Sequence, residues 1–548
     1  MKPTIVATVI ACAGVLCAAA TARVVAVQKN ALRQAQGVPS SPRGGSNPLL
    51  KEPLRLKQGL ISGVPGTTES IAVFKGIPFA APPVGPARWR APEPAAGWSG
   101  VRRADAFSAS CIQSIVTERK PWTYEFMTHG EISEDCLYLN VWTPATSASA
   151  RRPVFVYIYG GGNVEGSGAV PVYDGEGLAS KGLVVVTFNY RVGVLGFFTH
   201  PELSKESPYH ASGNYGLLDQ IAAVKWVHDN IAAFGGDPAR ITIAGQSAGA
   251  SAVHNLTASP LAKGLFQRGI ADSGSSIATA GARTHKDQEA DGVRFADAKG
   301  AHSLAELRAM SWKDVVAPIT PAPTPALRFA IVTDGYALPA GEKDAFARGT
   351  QNDVPTITGL NADENGASPH PTTTRDGFEK QARQRFGDRA DEFLKLYPVT
   401  NDEDARAAQN QSSRDQARVS MYLWALNRNR TAKTPAFTYF WTHALPGSDV
   451  DQYGAFHTSE VPYVLNTLSR SDRPFTDVDR TIADTLSSYW ANFATTGDPN
   501  GKGLQQWAPV SVDSPATMEV GDNFRSIPVA SSKERLEFFR RFLTKSGT

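Results

Sequence analysis

One short segment restricts this chain more than any other: Gly245-Gln246-Ser247-Ala248-Gly249, the only G-x-S-x-G in the sequence. It follows directly on Arg240 to Ala244 (RITIA), an apolar, β-branched run that reads as a buried strand. It runs straight into Ala248-Gly249-Ala250-Ser251-Ala252, a small-residue stretch that reads as a helix. A chain that passes from strand to helix across one residue must hold that residue in strained backbone. Glycines two before and two after it leave room for the neighbouring backbone. The serine hydroxyl is then presented at the top of a sheet, with a helix N-terminus behind it that favours developing negative charge. The pattern alone also fits a glycine-rich surface turn. Its position between strand and helix is what points to a nucleophile.

Around it the same alternation continues. Pro153 to Tyr159 (PVFVYIY) and Leu183 to Tyr190 (LVVVTFNY) read as further buried strands, with later candidates at Gly269 to Asp272, Val354 to Gly359 and Ala436 to Trp441. Leu217, Leu218, Ile221, Val224 and Val227 recur at helical spacing between Tyr190 and Arg240. Strand, helix and strand in that order predict right-handed crossovers and a largely parallel sheet, hence an α/β fold. The 548 residues, 42% of them hydrophobic, supply enough apolar material for a large core. A net charge of +3, with Lys and Arg scattered, gives no basic stripe and argues against a nucleic-acid partner. No cluster of metal ligands or cofactor motif stands out, so none is expected.

The N-terminus reads as an export signal over residues 1–22. Lys2 is followed by the short apolar run Ile5 to Ala20, and Ala20-Thr21-Ala22 offers a small-x-small cleavage site. The run is short for a membrane span, and no second one follows. Val9-Ile10-Ala11-Cys12 loosely resembles a lipidation box and would leave an even shorter apolar region. Residues 23–56, rich in Gln, Ser, Pro and Gly, are expected to form a disordered leader before a catalytic domain over 57–548. Cleavage leaves Cys111 and Cys136 as the two cysteines of a secreted or periplasmic chain. They form one disulfide or remain two buried thiols.

Tyr159-Gly160-Gly161-Gly162-Asn163 follows a predicted strand. Consecutive glycines let backbone approach a substrate and offer N–H groups to an oxyanion. A flexible loop is the plain alternative. A phosphate loop is the other, but it lacks the Lys-Ser/Thr ending.

Further matches then accumulate in order. Phe74-Lys75-Gly76-Ile77-Pro78-Phe79-Ala80, Ser133-Glu134-Asp135-Cys136-Leu137-Tyr138-Leu139-Asn140-Val141-Trp142, Gly213-Asn214-Tyr215-Gly216-Leu217-Leu218-Asp219-Gln220 and Phe234-Gly235-Gly236-Asp237-Pro238 appear in sequence. With these the chain resembles the type-B carboxylesterase family, cholinesterases and many bacterial esterases among them, from about Lys57 onward. The resemblance implies an α/β-hydrolase fold with large insertions. It also implies a serine hydrolase that cleaves carboxylic esters through an acyl-enzyme without a cofactor, with a small-molecule ester as partner. It gives Ser247 the role of nucleophile and Gly161, Gly162 and Ala248 the roles of oxyanion donors. The acid falls in Gly359-Leu360-Asn361-Ala362-Asp363-Glu364, where Glu364 is favoured over Asp363. Asn365-Gly366 departs from the family, in which a glycine follows directly. The base falls in Gly454-Ala455-Phe456-His457-Thr458-Ser459-Glu460, with His370 and His443 as rivals. The order Ser247, Glu364, His457 is that of α/β-hydrolases. Cys111 and Cys136 match the family's first disulfide, closing a loop of about 26 residues.

The same fold also hosts inactive binding and adhesion modules. Those lose a triad member, whereas all three are present here. Lactones, thioesters and amides are related substrates that the motifs do not separate from esters. Cholinesterases carry a choline-binding tryptophan about ten residues before the second cysteine. Here that region is Tyr124-Glu125-Phe126-Met127, with the nearest tryptophan at Trp122, which argues against a choline ester. Some secreted bacterial members cleave polar polyacid esters of the fumonisin mycotoxins. Most members place a bulky apolar residue after the oxyanion glycines. Asn163 stands there instead, which predicts a substrate contact and a preference for polar esters.

Overall fold

Strands such as Val184–Phe188 (VVVTF) and Ala436–Trp441 (AFTYFW) are buried at every position, the signature of strands covered on both faces. The computed structural model, described here for residues 46–274 and 284–545, gathers them into one sheet of eleven strands. In chain order these are β1 (Val64–Pro65), β2 (Ala72–Pro78), β3 (Tyr138–Thr143), β4 (Arg152–Ile158), β5 (Val184–Phe188) and β6 (Gly236–Gln246). They continue with β7 (Arg268–Asp272), β8 (Thr356–Asn361), β9 (Ala436–Trp441), β10 (Ala516–Val520) and β11 (Arg525–Pro528). Across the sheet the order is β1-β2-β3-β5-β4-β6-β7-β8-β9-β10-β11. All ladders from β5 to β10 are parallel. Those joining β1, β2, β3 and β5 at one edge, and β10 and β11 at the other, are antiparallel. The fold is therefore α/β with a mostly parallel sheet, as expected, and the antiparallel margins are added by the structure.

The helices that matter for the site are α1 (Tyr215–Asn230), α2 (Ala248–Ala258), α3 (Arg375–Phe386), α4 (Asp402–Asn429) and α5 (Asp477–Thr496). α1 is the helix predicted between Tyr190 and Arg240. α2 begins one residue beyond Ser247, and α3 and α4 belong to the long insertion between β8 and β9. A principal core runs along both sides of the sheet. It includes Phe155, Val156, Ile243, Ile270, Ile357, Tyr439, Trp441 and Trp490.

The expected boundary between leader and domain is corrected. Residues 46–56 are packed, not a leader. Asn47 is buried; its Nδ2 donates to Ser70 O at 2.7 Å and its Oδ1 accepts from Leu49 N at 2.9 Å. Leu54–Arg55 pairs with Leu60–Ile61, and Leu56 is buried. A buried amide that satisfies three backbone groups outweighs a composition that reads as disordered. The expected signal, Cys12, and the leader as far as residue 45 lie outside the described residues. No helix among the described residues is long and apolar enough to cross a membrane.

Candidate active site

The carboxyl ends of β6, β8 and β9 converge on one spot, and the residues that follow them build the site. Ser247 directly follows β6 with φ 60° and ψ −121°, in backbone space that a serine avoids. Its N–H donates to Asp272 O at the end of β7 at 2.9 Å, and its carbonyl accepts from Ser251 N at 3.0 Å. The turn has no spare room. A Cβ on Gly249 would stand 2.0 Å from Ile158 O, and one on Gly245 would stand 2.5 Å from the Gly249 carbonyl carbon. Both positions therefore require glycine.

Glu364 follows β8. Its Oε1 accepts from Asn361 N at 2.7 Å and from Ser273 Oγ at 3.0 Å, and its Oε2 lies 2.5 Å from His457 Nδ1. Asp363 is engaged elsewhere, with Arg414 Nη2 at 2.7 Å and Ala455 N at 2.8 Å. The Asn365-Gly366 departure leaves the turn intact, because Asn365 takes φ 56°, a left-handed value asparagine tolerates, and Gly366 takes φ 95°. His443 has both ring nitrogens committed, to Asp522 at 2.6 Å and Asp479 at 3.0 Å. His370 is exposed.

With Nδ1–H donated to Glu364, the Nε2 lone pair of His457 faces outward. The Gln246 side-chain amide nitrogen lies over the ring, 3.1 Å from that atom and 3.4 Å from Nδ1. Ser247 Oγ makes no hydrogen bond among the described residues, so the serine and the imidazole share a site but are not joined. Burial opposes the imidazolium of His457. The hydrogen bond and charge of Glu364 outweigh it, Glu460 adds to them, and the pKa lies above the ordinary histidine value of 6.5. Glu460 is wholly enclosed: burial pushes its carboxyl up to about 7, while the Asn361 amide, bonded to its Oε2, works the other way. Gln246, Ser273 and Glu460 were not foreseen. Gln246 and Ser273 act through partners distant in sequence, and Glu460, which closes the histidine motif, meets the equally distant Asn361 as well as the charge of nearby His457.

Gly161 and Gly162 lie on the loop after β4 and Ala248 at the first turn of α2. Their N–H groups donate to no other group among the described residues. Gly161 has φ 103°, and a Cβ there would meet Glu165 O at 2.3 Å. Asn163 also adopts a positive φ, and its Oδ1 is buried without a hydrogen-bond partner.

Two cavities meet at Ser247, and both also include His457 and Gly162. One, of about 320 Å³, is walled by Trp122, Phe126, Met127, Tyr173, Val164 and Gly161. The other, of about 840 Å³, is lined by Asn163, Ala248, Ser251, Glu364, Arg385, Ser413 and Gln416. Trp122 reaches the site despite its offset in sequence, and its indole N–H lies 3.2 Å from both His457 O and Thr458 Oγ1. The argument against choline from the missing tryptophan is weakened accordingly. Cys111 and Cys136 are joined as a disulfide that closes the loop bearing Trp122. Among the described residues no three His, Cys, Asp or Glu side chains gather as metal ligands.

A family model described as "Carboxylesterase family" matches residues 51–539. The chain is 39% identical to fumonisin B1 esterase of Sphingopyxis macrogoltabida over 473 residues, covering 82% of this chain and 83% of that one. It is 33% identical to cocaine esterase of Homo sapiens over 478 residues, covering 82% and 83%. It is 32% identical to liver carboxylesterase of Sus scrofa over 535 residues, covering 88% and 90%. With a fold of the right topology, a strained serine at the strand-to-helix turn and a family match along nearly all of the described chain, this protein belongs to the carboxylesterase family and is a carboxylic-ester hydrolase.

Proposed function

We propose that Ser247 is the nucleophile, His457 the general base and Glu364 the residue that orients and charges the base, acting on polar carboxylic esters. The observation that carries the reading is a serine held at φ 60° where two cavities meet, both shared with an imidazole hydrogen-bonded to a buried carboxylate. His457 Nε2 takes the Ser247 proton as Oγ attacks the ester carbonyl carbon. The negative oxygen of the tetrahedral intermediate accepts hydrogen bonds from the free N–H groups of Gly161, Gly162 and Ala248. Its collapse expels the alcohol, which takes the proton from His457, and leaves Ser247 acylated. Water, deprotonated by His457, then releases the acid and restores the serine.

Support for a polar substrate comes from the buried, unpartnered Oδ1 of Asn163, which a substrate N–H or O–H would satisfy. The name of the Sphingopyxis macrogoltabida relative makes fumonisin B1 the first natural ester to try. The disulfide and the pattern of residues 1–22 support export with signal removal to a secreted or periplasmic location, with residues 23–45 as a leader.

An organophosphonate reacting with the protein is expected to label Ser247 alone. Ser247→Ala is expected to abolish p-nitrophenyl acetate hydrolysis, a loss of about 10⁴-fold or more, and to keep the native circular dichroism. Labelling at another serine overturns the assignment.

A further inference from the structure

The larger chamber at Ser247 is walled mainly by neutral polar groups: Asn163, Ser251, Ser413 and Gln416. Its carboxylate, Glu364, is fully occupied by His457, Asn361 and Ser273. Apart from the imidazole of His457, the chamber's one cation among the described residues is Arg385, at the next-to-last position of α3.

Two other cations on this helix find anions, while Lys380 has no ion pair among the described residues. Arg375 lies 3.1 Å from Glu379, and Arg383 lies 2.9 Å from Asp391. Arg385 has neither a carboxylate within ion-pair distance nor a hydrogen-bond acceptor among the described residues. Its guanidinium rests 5.6 Å from the centroid of the Phe386 ring. Arg385 is exposed where it borders the chamber, and no neighbouring carboxylate stands beside it. A planar five-donor group left unpaired on the wall of a reacting chamber fits the two oxygens of a carboxylate.

We propose that Arg385 is a specificity-determining residue that receives a carboxylate carried by the ester itself. This deepens the esterase assignment and rests on Ser247 as the reacting centre. The substrate class is an ester with a free carboxylate on the arm that fills the larger chamber. That arm is either the acyl part of a di- or polycarboxylic acid or a carboxylate-bearing alcohol. The carboxylate pairs with Arg385, while Asn163 Oδ1 and the serine and glutamine side chains take neighbouring hydroxyl or amide groups.

Two ester pairs distinguish the arms. p-Nitrophenyl hemiglutarate against p-nitrophenyl valerate places the charge on the acyl side, and 4-carboxyphenyl acetate against 4-methylphenyl acetate places it on the alcohol side. For one of these pairs, Arg385→Gln is expected to lower the anionic-to-neutral ratio of kcat/KM by about 10- to 30-fold, the scale of one charge-assisted hydrogen-bonded pair. Arg383→Gln removes the same charge two residues away and is expected to leave both ratios within about twofold, since its effect is only that of a screened surface charge. Ratios unchanged in Arg385→Gln, or lowered equally by Arg383→Gln, overturn the proposal. Glutarate binding measured by calorimetry needs no turnover. Arg385→Gln is expected to weaken it about tenfold, and equal binding overturns the proposal. Failure of the esterase assignment shows separately, as phosphonate labelling away from Ser247.

Discussion

Catalysis at His457 turns on which charge surrounds its ring. In the proposed mechanism the neutral imidazole is the base, so kcat/KM is expected to fall as the pH drops through the His457 pKa. Glu364 and Glu460 hold that pKa up against burial, and the midpoint of the acid limb is expected above 6.5. Glu364→Gln removes the main raising influence. It should shift the midpoint downward and cut kcat by about 10⁴-fold, whereas Asp363→Asn, tied to Arg414 and Ala455, should keep the profile in place. Rates recorded between about pH 5 and pH 9 on both variants check this; the reverse ranking moves the acid to Asp363. Asn163 gives a second prediction. Asn163→Phe removes an acceptor that needs a partner, so the kcat/KM ratio of a hydroxylated ester to an alkyl ester of equal size should fall about 10-fold. An unchanged ratio refutes its part in selectivity. The motifs around Ser247, Glu364 and His457 could be read in the sequence, and the three side chains line one chamber; Ser247 and Glu364 follow strand ends, whereas His457 lies on the long connection after β9. Gln246, Glu460 and Arg385 were not legible, because an amide, a carboxylate and a guanidinium in a sequence do not announce which partner they have or lack.

The unit from β4 through β6 to α2 fixes where the serine sits. Its closeness is set by backbone, not by side chains: the Gly249 Cα faces Ile158 O so nearly that no methyl fits. Gly249→Ala should force β4 and α2 apart, destabilise the protein by about 3 kcal/mol, and reduce turnover beyond what the stability loss explains. Urea unfolding alongside kinetics tests this, and an active, equally stable variant contradicts it. The central strands were legible as apolar runs; Ala436–Trp441 is found with the predicted ends. β6 proved longer, since Gly236 pairs with Arg152 across an irregular stretch before the regular ladder begins at Ile241. The antiparallel edges were not legible, because direction depends on the neighbour a strand meets. Nor does the Val64–Pro65 pairing announce itself in two residues.

Across the whole chain, the order of motifs revealed the architecture while the N-terminal limit of the domain stayed hidden. Asn47, in a polar stretch, is bound by backbone partners at Glu69 and Ser70 that only the fold supplies. The Cys111–Cys136 disulfide spans a loop that carries Gln113, Trp122, Phe126 and Met127 to the smaller cavity. Replacing both cysteines with serine should cost about 3 kcal/mol and raise KM more than it lowers kcat, because the loop shapes a cavity wall and carries none of the three proposed catalytic residues. Denaturation and steady-state kinetics check both parts, and a kcat loss at constant KM contradicts the second. The junction of two chambers at Ser247 also governs traffic. The alcohol departs while the acyl group stays attached, so the chamber it vacates stands open to whichever nucleophile arrives next. Such an enzyme works in ping-pong fashion, and where water is scarce an incoming alcohol competes for the acyl group and turns a hydrolase into a transferase.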